Sequence, residues 1–297
     1  MRGKGTCRFR TRPACVRGAF TLIELLVVIA VIALLMAVLL PTLQRVRRQG
    51  KAIVCQANLH QWGQMFNTYM TDHDGSCWNG AWIASDTSFW LTWIESTRPY
   101  WHGDEKIRLC PVANKIPDKP NPGPFPYETF GGKTYAWGWV KHHDQPDEWY
   151  ITSSYSHNSY VADATIVKGM TDLNSVASWR MHGWTPLTAK HPGRIPVLFD
   201  GAETYGVVGK PPAFDAPAKF SDAFDDPAPI THGHMVMDRH DGGISLLFLD
   251  GAARKVGLKE LWTFKWTRNY NTANKWTRAG GVTAEDWPPW MRRFRDY

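Results

Sequence analysis

The sequence predicts an α+β protein, in which one long N-terminal helix packs on an antiparallel β-sheet head. First, Phe20–Leu40 is apolar except for Thr21 and Glu24. Second, buried-type residues then recur three or four positions apart, which is the period of one helix stripe: Ala52, Cys55, Leu59, Trp62, Phe66 and Tyr69. Third, from Ser76 onward prolines, glycines and strand-forming residues dominate, which is typical of short strands and loops.

The first element is a transmembrane helix at 20–41. Its apolar run would span about 31 Å as a helix, the thickness of a hydrocarbon core. It is too long for a cleaved secretory signal, and a buried core helix is the alternative. Residues 1–19 hold six of the 34 basic residues and no acid. This flank predicts a cytoplasmic N-terminus with the rest of the chain outside the cytoplasm.

The remaining charges exclude one class of partner. Without the basic leader, the net charge of +7 falls nearly to zero. No basic stripe is left elsewhere, so we expect no nucleic-acid partner.

The stem and the head follow. We predict an amphipathic helix over 42–75, bent near Pro41, and a globular β-rich head over 76–297. The strand candidates in the head are Tyr135–Val140, Ser154–Val161, Ile195–Asp200, Ile244–Asp250 and Ala253–Val256. Two stretches, "VLFDGA" (197–202) and "LFLDGA" (247–252), each place Asp-Gly after an apolar strand. Asp-Gly favours tight hairpin turns, so we expect similar exits from both strands.

The stretch "AFTLIELLVVIAVIALL" resembles the N-terminus of bacterial type IV prepilins and type II secretion pseudopilins. The resemblance implies cleavage of the 1–19 leader between Ala19 and Phe20 by a prepilin peptidase, followed by N-methylation of Phe20. Glu24 would be the fifth mature residue, and Pro41 falls where that family bends its helix. Ala19 departs from the Gly that the family usually has before the cut.

The same resemblance implies a role for Glu24. In that family the carboxylate neutralises the N-terminal amine of a neighbouring subunit, since two charges that are costly singly in lipid are tolerated as a pair. It implies a structural subunit in the inner membrane, crossing it once and joining other pilin-like subunits through the N-terminal helix, with release into a periplasmic or surface filament. The alternative is a glutamate that snorkels to the headgroups.

The C-terminal part resembles a bacterial subgroup of these proteins. "RHDGGISLLFLDGAARKV" (239–256) contains a His, nine residues and Asp-Gly, which are His240, Asp250 and Gly251. A catalytic His240–Asp250 dyad is disfavoured, because a strand between them would separate their ends by about 20 Å. We therefore expect no catalytic residues, and assign His240 a packing or hydrogen-bonding role.

Metal sites are similarly disfavoured, and we expect no cofactor. In "HGHMVMDRH" (232–240), His232, His234 and His240 are of ligand type but lack a general base beside them. Asp72 and Asp74 fall short of a calcium loop.

Two rival functions stay open. The chain could be a membrane-anchored module that binds carbohydrate or another polymer through exposed aromatic residues, such as Trp78, Trp82, Trp90, Trp93 and Trp101. It could also be a metal-dependent hydrolase built on the histidines.

Any pairing among Cys55, Cys77 and Cys110 is open. Finally, we predict that 76–190 faces solvent, and that strands within 194–266 cover the apolar stripe of the stem.

Overall fold

The α+β fold is confirmed by a computed structural model of the chain. The structure describes residues 21–77, 92–101, 104–116, 128–129, 131–140, 149–158, 160–161, 184, 189–202, 205–206 and 235–297. The chain forms two compact units, Met1–Val46 and Arg47–Tyr297.

Helix α1 spans Leu22–Asp72 and continues through Pro41. In the first unit its large apolar side chains from Leu22 to Leu40 are exposed. The helix is long and apolar enough to cross a membrane. Thr42 Oγ1 donates a hydrogen bond to the Leu39 carbonyl oxygen at 2.8 Å, beside the proline. A bend at Pro41 stays a prediction.

In the second unit, the predicted stripe of α1 is confirmed. Its members are all buried: Ala52, Cys55, Leu59, Trp62, Phe66 and Tyr69. The Trp62 indole donates to the Ile107 carbonyl oxygen at 3.0 Å. After Asp72 the chain turns through Asp74 and Gly75, both with positive φ, and Gly75 N–H donates back to the Met70 carbonyl oxygen. Helix α2 covers Thr92–Trp101.

The strands form two sheets. β1 (Glu128–Thr129), β2 (Trp137–Val140) and β3 (Trp149–Ser153) pair antiparallel in that order. The five-stranded sheet has the order β6-β4-β5-β7-β8. Its pairs are antiparallel except β4 with β6, which is parallel. Its strands are β4 (Tyr155–Asn158), β5 (Pro196–Asp200), β6 (Tyr205–Gly206), β7 (Gly243–Phe248) and β8 (Ala253–Gly257).

The five predicted strands correspond to β2, β4, β5, β7 and β8, with ends that differ by at most three residues. The two Asp-Gly exits are not alike, however. Asp250 and Gly251 form the tight turn between β7 and β8, where Gly251 has φ of 83° and its N–H donates to the Phe248 carbonyl oxygen. Asp200 instead ends β5 as a fully buried side chain. The prediction of similar exits is therefore wrong, because Asp200 has partners in the core.

Strands β4, β5 and β7 of the five-stranded sheet are buried along their whole length, and alternate residues of β7 face opposite cores. Leu247 packs with α1 residues in one cluster, the helix-side core. Leu246 and Phe248 belong to a second cluster, the C-terminal core, together with residues from beyond β8. The residues from beyond β8 in the C-terminal core include a 3₁₀ helix, Leu258–Thr263, and the buried Trp262, Trp266 and Trp287.

The helix-side core corrects two expectations. Strands β5 and β7 do cover the stripe of α1, as predicted, but so do residues between 76 and 190. Trp93, Ile94, Ile107 and Trp101 are buried in this core, so these parts of the region do not face solvent. The proposed aromatic surface is wrong for Trp93 and Trp101, because their rings pack near Trp62 at centroid distances of 5.1 and 6.4 Å. Trp78, Trp82 and Trp90 lie outside the described residues.

Candidate functional site

Four chemically reactive side chains converge inside the second unit. Cys55 comes from α1, Cys110 from the segment after the 3₁₀ helix Glu105–Arg108, Asp200 from the end of β5 and His240 from the segment before β7. All four are buried, and one ligand-type atom of each lies within 4.8 Å of the others. We call these four residues the buried cluster.

Close contacts between three pairs of side chains define the geometry of the buried cluster. His240 Nε2 lies 3.2 Å from Asp200 Oδ2 and 3.4 Å from Cys110 Sγ. Cys55 Sγ lies 3.5 and 3.6 Å from the two oxygens of Asp200. The same imidazole nitrogen therefore faces both a carboxylate and a thiol.

The Asp200 carboxylate is held from its other side by Arg239. Arg239 Nη1 is 3.3 Å from Asp200 Oδ1, and Ser245 N–H donates to Oδ2 at 2.7 Å. The guanidinium also donates to the carbonyl oxygens of Gly132, Ser154 and Gly201. A buried charge is tolerated where its hydrogen-bonding capacity is satisfied in this way.

The pKa values follow from these contacts. Burial alone would raise the pKa of Asp200, but the charges of His240 and Arg239 and the Ser245 hydrogen bond outweigh it and lower the pKa to about 2. Burial alone would lower the pKa of His240, but Asp200 and the contact with Cys110 raise it to about 10. Burial would raise the pKa of Cys110, but hydrogen bonds with Cys55 and His240 lower it to about 6. Burial raises the pKa of Cys55 well above its usual value.

The buried cluster lacks the geometry of a nucleophilic triad. In such a triad the carboxylate holds one imidazole nitrogen, and the other nitrogen serves the nucleophile. Here both contacts fall on Nε2 of His240. The thiols of Cys55 and Cys110 are also fully buried, so no substrate reaches them without displacing core side chains. The arrangement suits ligation better than catalysis.

A second feature lies at the start of α1, in the first unit. Glu24 Oε2 accepts hydrogen bonds from Thr21 N–H and Thr21 Oγ1, both at 2.8 Å. Glu24 N–H donates to Thr21 Oγ1 at 3.2 Å. These reciprocal bonds form a capping box, which satisfies backbone donors at a helix start. The sequence "TLIE" explains where α1 begins.

Residues 16–40 match the family of the prokaryotic N-terminal methylation motif. This methylation motif contains Ala19, Phe20 and Glu24, and it ends one residue before Pro41. It supports a type IV pilin-like protein that is processed by a prepilin peptidase and anchored in a membrane. No curated protein and no solved structure matches the chain.

Beyond the methylation motif, the structure separates the predicted signature residues. His240 is buried beside Asp200, whereas Asp250 is exposed in its turn and accepts a hydrogen bond from Ala252 N–H at 3.0 Å. Gly251 has the positive φ that this turn requires. The Asp-Gly half of the signature thus makes a hairpin, and its histidine enters the buried cluster.

The other candidates have different outcomes. His232 and His234 lie outside the described residues. Asp72 accepts a hydrogen bond from the Tyr100 hydroxyl at 2.9 Å. Cys55, Cys77 and Cys110 are not joined to one another by disulfide bonds in the structure.

Sequence reasoning missed Cys55, Cys110 and Asp200 as partners of His240. Cys55 lies on the apolar stripe of α1, and Cys110 and Asp200 are distant in the chain, so no local spacing marks the group. The one available signal was Asp200 itself, an acidic residue directly after four apolar strand positions.

Proposed function

We propose that the chain is a non-enzymatic structural subunit of a type II secretion pseudopilus or another type IV pilus-like assembly. The observation that carries the proposal is the methylation motif at 16–40, which contains the exposed apolar part of α1 from Leu22 to Leu40. A helix that exposes so many large apolar side chains needs lipid or other subunits around it. The resemblance of residues 239–256 to a pilin-like subgroup supports the same proposal from the C-terminal part of the chain.

In this proposal the leader is removed between Ala19 and Phe20, and Phe20 becomes a methylated N-terminus. Before assembly, α1 crosses the inner membrane once, with its N-terminus in the cytoplasm and the second unit outside. The basic side chains of 1–19 favour this orientation. Pro41 lies within α1 where the apolar segment ends.

Glu24 then pairs with the Phe20 amine of a neighbouring subunit. The two Thr21 bonds both fall on Oε2, and a carboxylate has about four lone-pair sites. Glu24 therefore retains acceptor capacity for an ammonium group. Pairing also lowers the cost of placing either charge in the membrane.

The processing step is tested by the mass and N-terminal sequence of the protein isolated from its native host. The expected mature chain begins at methylated Phe20. The matched variant Ala19→Gly restores the residue that prepilins usually carry, and it is expected to be cut at the same bond at least as fast. A chain that still begins at Met1, or one cut after Leu40, contradicts the proposal.

The assembly step is tested by comparing Glu24→Gln with Thr21→Val. Glu24→Gln removes the charge and is expected to insert normally but to enter filaments poorly, measured by crosslinking and by sheared-fraction blots. Thr21→Val removes the hydroxyl of the capping box, keeps the carboxylate and is expected to assemble. Equal assembly by wild type and Glu24→Gln excludes the pairing. Equal loss in both variants indicates that only the helix start matters.

A second candidate function, polymer binding, is favoured by one groove in the second unit. The groove has a volume of about 590 Å³ and is lined by Tyr100, Trp101, Gln61, Gln64 and Asp104, among others. The half-buried Tyr100 ring beside amides and a carboxylate is chemically suited to sugars. Titration of the full-length protein with soluble polysaccharides, compared with a Tyr100→Ala/Gln64→Ala variant, tests this candidate. Binding that both proteins share, or that neither has, excludes this groove.

A further inference from the structure

The buried cluster places two thiols, an imidazole and a carboxylate around one point. This donor set is typical of zinc, which takes cysteine sulfur, histidine nitrogen and aspartate oxygen as ligands. A structural zinc site has four protein ligands and no open position. All four residues of the cluster are buried, as a closed site requires.

Three of the six distances between the donor atoms agree with a tetrahedral ion. With zinc–ligand bonds of about 2.0–2.3 Å, tetrahedral geometry separates nitrogen from oxygen by about 3.3 Å, and sulfur from nitrogen or oxygen by about 3.5 Å. The observed values are 3.2 Å for His240 Nε2 to Asp200 Oδ2 and 3.4 Å for Cys110 Sγ to His240 Nε2. Cys55 Sγ lies 3.6 Å from Asp200 Oδ2.

The surroundings support ligation as well. The Tyr155 hydroxyl donates to Cys55 Sγ at 3.4 Å, and Ser245 N–H donates to Asp200 Oδ2 at 2.7 Å. Hydrogen bonds of this kind orient the side chains that bind metal ions. Two thiolates and one carboxylate would carry three negative charges, which Zn²⁺ and the adjacent guanidinium of Arg239 balance to zero. Neutrality matters because an uncompensated charge at this depth is costly.

From this geometry we propose that Cys55, Cys110, Asp200 and His240 bind one structural Zn²⁺ ion. The ion joins four segments that are distant in the chain: α1, the segment after Arg108, the end of β5 and the segment before β7. Its role is to fix these segments to one another in the second unit. The site is independent of the proposed assembly function and uses none of the residues of the methylation motif.

The test uses the full-length protein in detergent, expressed with zinc, purified under a phosphine reductant and analysed for metal and for free thiols. The expected result is about one zinc per chain. Cys110→Ser and His240→Gln are expected to lose most of it. Cys77→Ser is the matched control, because Cys77 is also buried and reduced but its sulfur contacts Met70 Sδ at 3.9 Å, outside the cluster. It is expected to keep the zinc.

The visible spectrum of the cobalt-substituted wild-type protein provides a test that needs no variant. Co²⁺ in place of zinc is expected to give intense visible bands of a tetrahedral site and a thiolate charge-transfer band in the near ultraviolet. Per bound cobalt ion, Cys110→Ser is expected to lower the charge-transfer band by about half, because one of two thiolate ligands is lost. His240→Cys replaces one ligand by another and is expected to keep the tetrahedral bands while raising the charge-transfer band.

Two results overturn the proposal. One is a folded, reduced chain that binds no metal when zinc or cobalt is supplied. The other is a Cys55–Cys110 disulfide, found by non-reducing peptide mapping of the protein isolated from its native host.

Discussion

His240 Nε2 and Asp200 Oδ2 lie 3.2 Å apart in the core, where both side chains are fully buried. The contact joins the end of β5 to the segment that precedes β7, and these two strands are neighbours in the sheet. Arg239 holds the other oxygen of the same carboxylate. Asp200 is therefore in contact with two side chains that are adjacent in the sequence.

Asp200→Asn is expected to destabilise the protein by about 3–5 kcal/mol, because it leaves the buried guanidinium of Arg239 without its charge partner. Asp250→Asn is the control, since Asp250 is exposed in a turn that asparagine tolerates, and it is expected to cost less than about 1 kcal/mol. Urea unfolding of the detergent-solubilised chain measures both. Similar losses would mean that Asp200 contributes no more than a turn residue.

The two glycines within the second-unit part of α1 are expected to respond to alanine in opposite directions. A Cβ at Gly50 has nothing within 4 Å, so Gly50→Ala is expected to stabilise by about 1 kcal/mol through helix propensity. A Cβ at Gly63 would lie 2.9 Å from Leu247 Cδ1 and 3.4 Å from the Gly251 carbonyl oxygen. Gly63→Ala is therefore expected to destabilise by about 1–3 kcal/mol.

The double variant Gly63→Ala/Leu247→Ala tests whether the clash is the cause. The added methyl then occupies part of the space that Leu247 leaves, so the double variant is expected to be more stable than the sum of the single changes implies, by about 0.5–3 kcal/mol. Thermal or urea unfolding of the four proteins gives this coupling. Strict additivity would show that Gly63 and Leu247 are not in contact.

His157 on β4 is expected to make the stability of the protein fall in mild acid. Burial lowers its pKa to about 4, whereas the unfolded side chain titrates near 6.5. Between these values the unfolded state binds more protons, so stability decreases as pH falls from about 6.5 to about 4, by at most about 3 kcal/mol.

His157→Gln is the control for this pH dependence, since it keeps a donor for the Val161 carbonyl oxygen, which lies 3.0 Å from His157 Nε2. The variant is expected to lose less stability than wild type between pH 7 and pH 4.5. Parallel curves for the two proteins, from urea midpoints at several pH values, would assign the acid sensitivity to other groups.

Lys259 is a buried basic residue in the 3₁₀ helix Leu258–Thr263. Its Nζ lies 2.7 Å from Asp296 Oδ1 and 4.8 Å from the centre of the Trp287 ring. Asp296→Asn leaves this charge partly uncompensated and is expected to cost about 1–3 kcal/mol. Lys259→Met removes the charge itself and is expected to cost less, because an apolar side chain of similar volume suits the site. The reverse order in unfolding experiments would contradict this interpretation.

The fold was largely predictable because its signals are local. An apolar run of membrane length, a stripe of period 3.6 and short apolar strands each follow from neighbouring residues, and α1, β5, β7 and β8 were placed to within a few residues. The faces of the sheet were harder to assign. Leu246, Leu247 and Phe248 are all apolar, yet Leu247 alone among them shares the helix-side core with Trp62.

The buried cluster was not predictable, because its residues are distant from one another in the sequence. Cys55 satisfies the apolar period of α1, and Asp200-Gly201 has the composition of a hairpin turn. His240 was assigned a hydrogen-bonding role without a partner, because its partner is brought near only by the pairing of β5 with β7. Long-range contacts of this kind leave no periodic trace in a single sequence.

The position of β7 between β5 and β8 has a consequence for how the protein matures. Neither core closes until residues 243–257 have joined the sheet, since Leu247 completes one face and Leu246 the other. A chain that crosses a membrane from its N-terminus receives these strands last, and contacts so distant in sequence form slowly. In the proposed orientation, the head is therefore expected to stay unfolded until residues 243–257 have crossed the membrane.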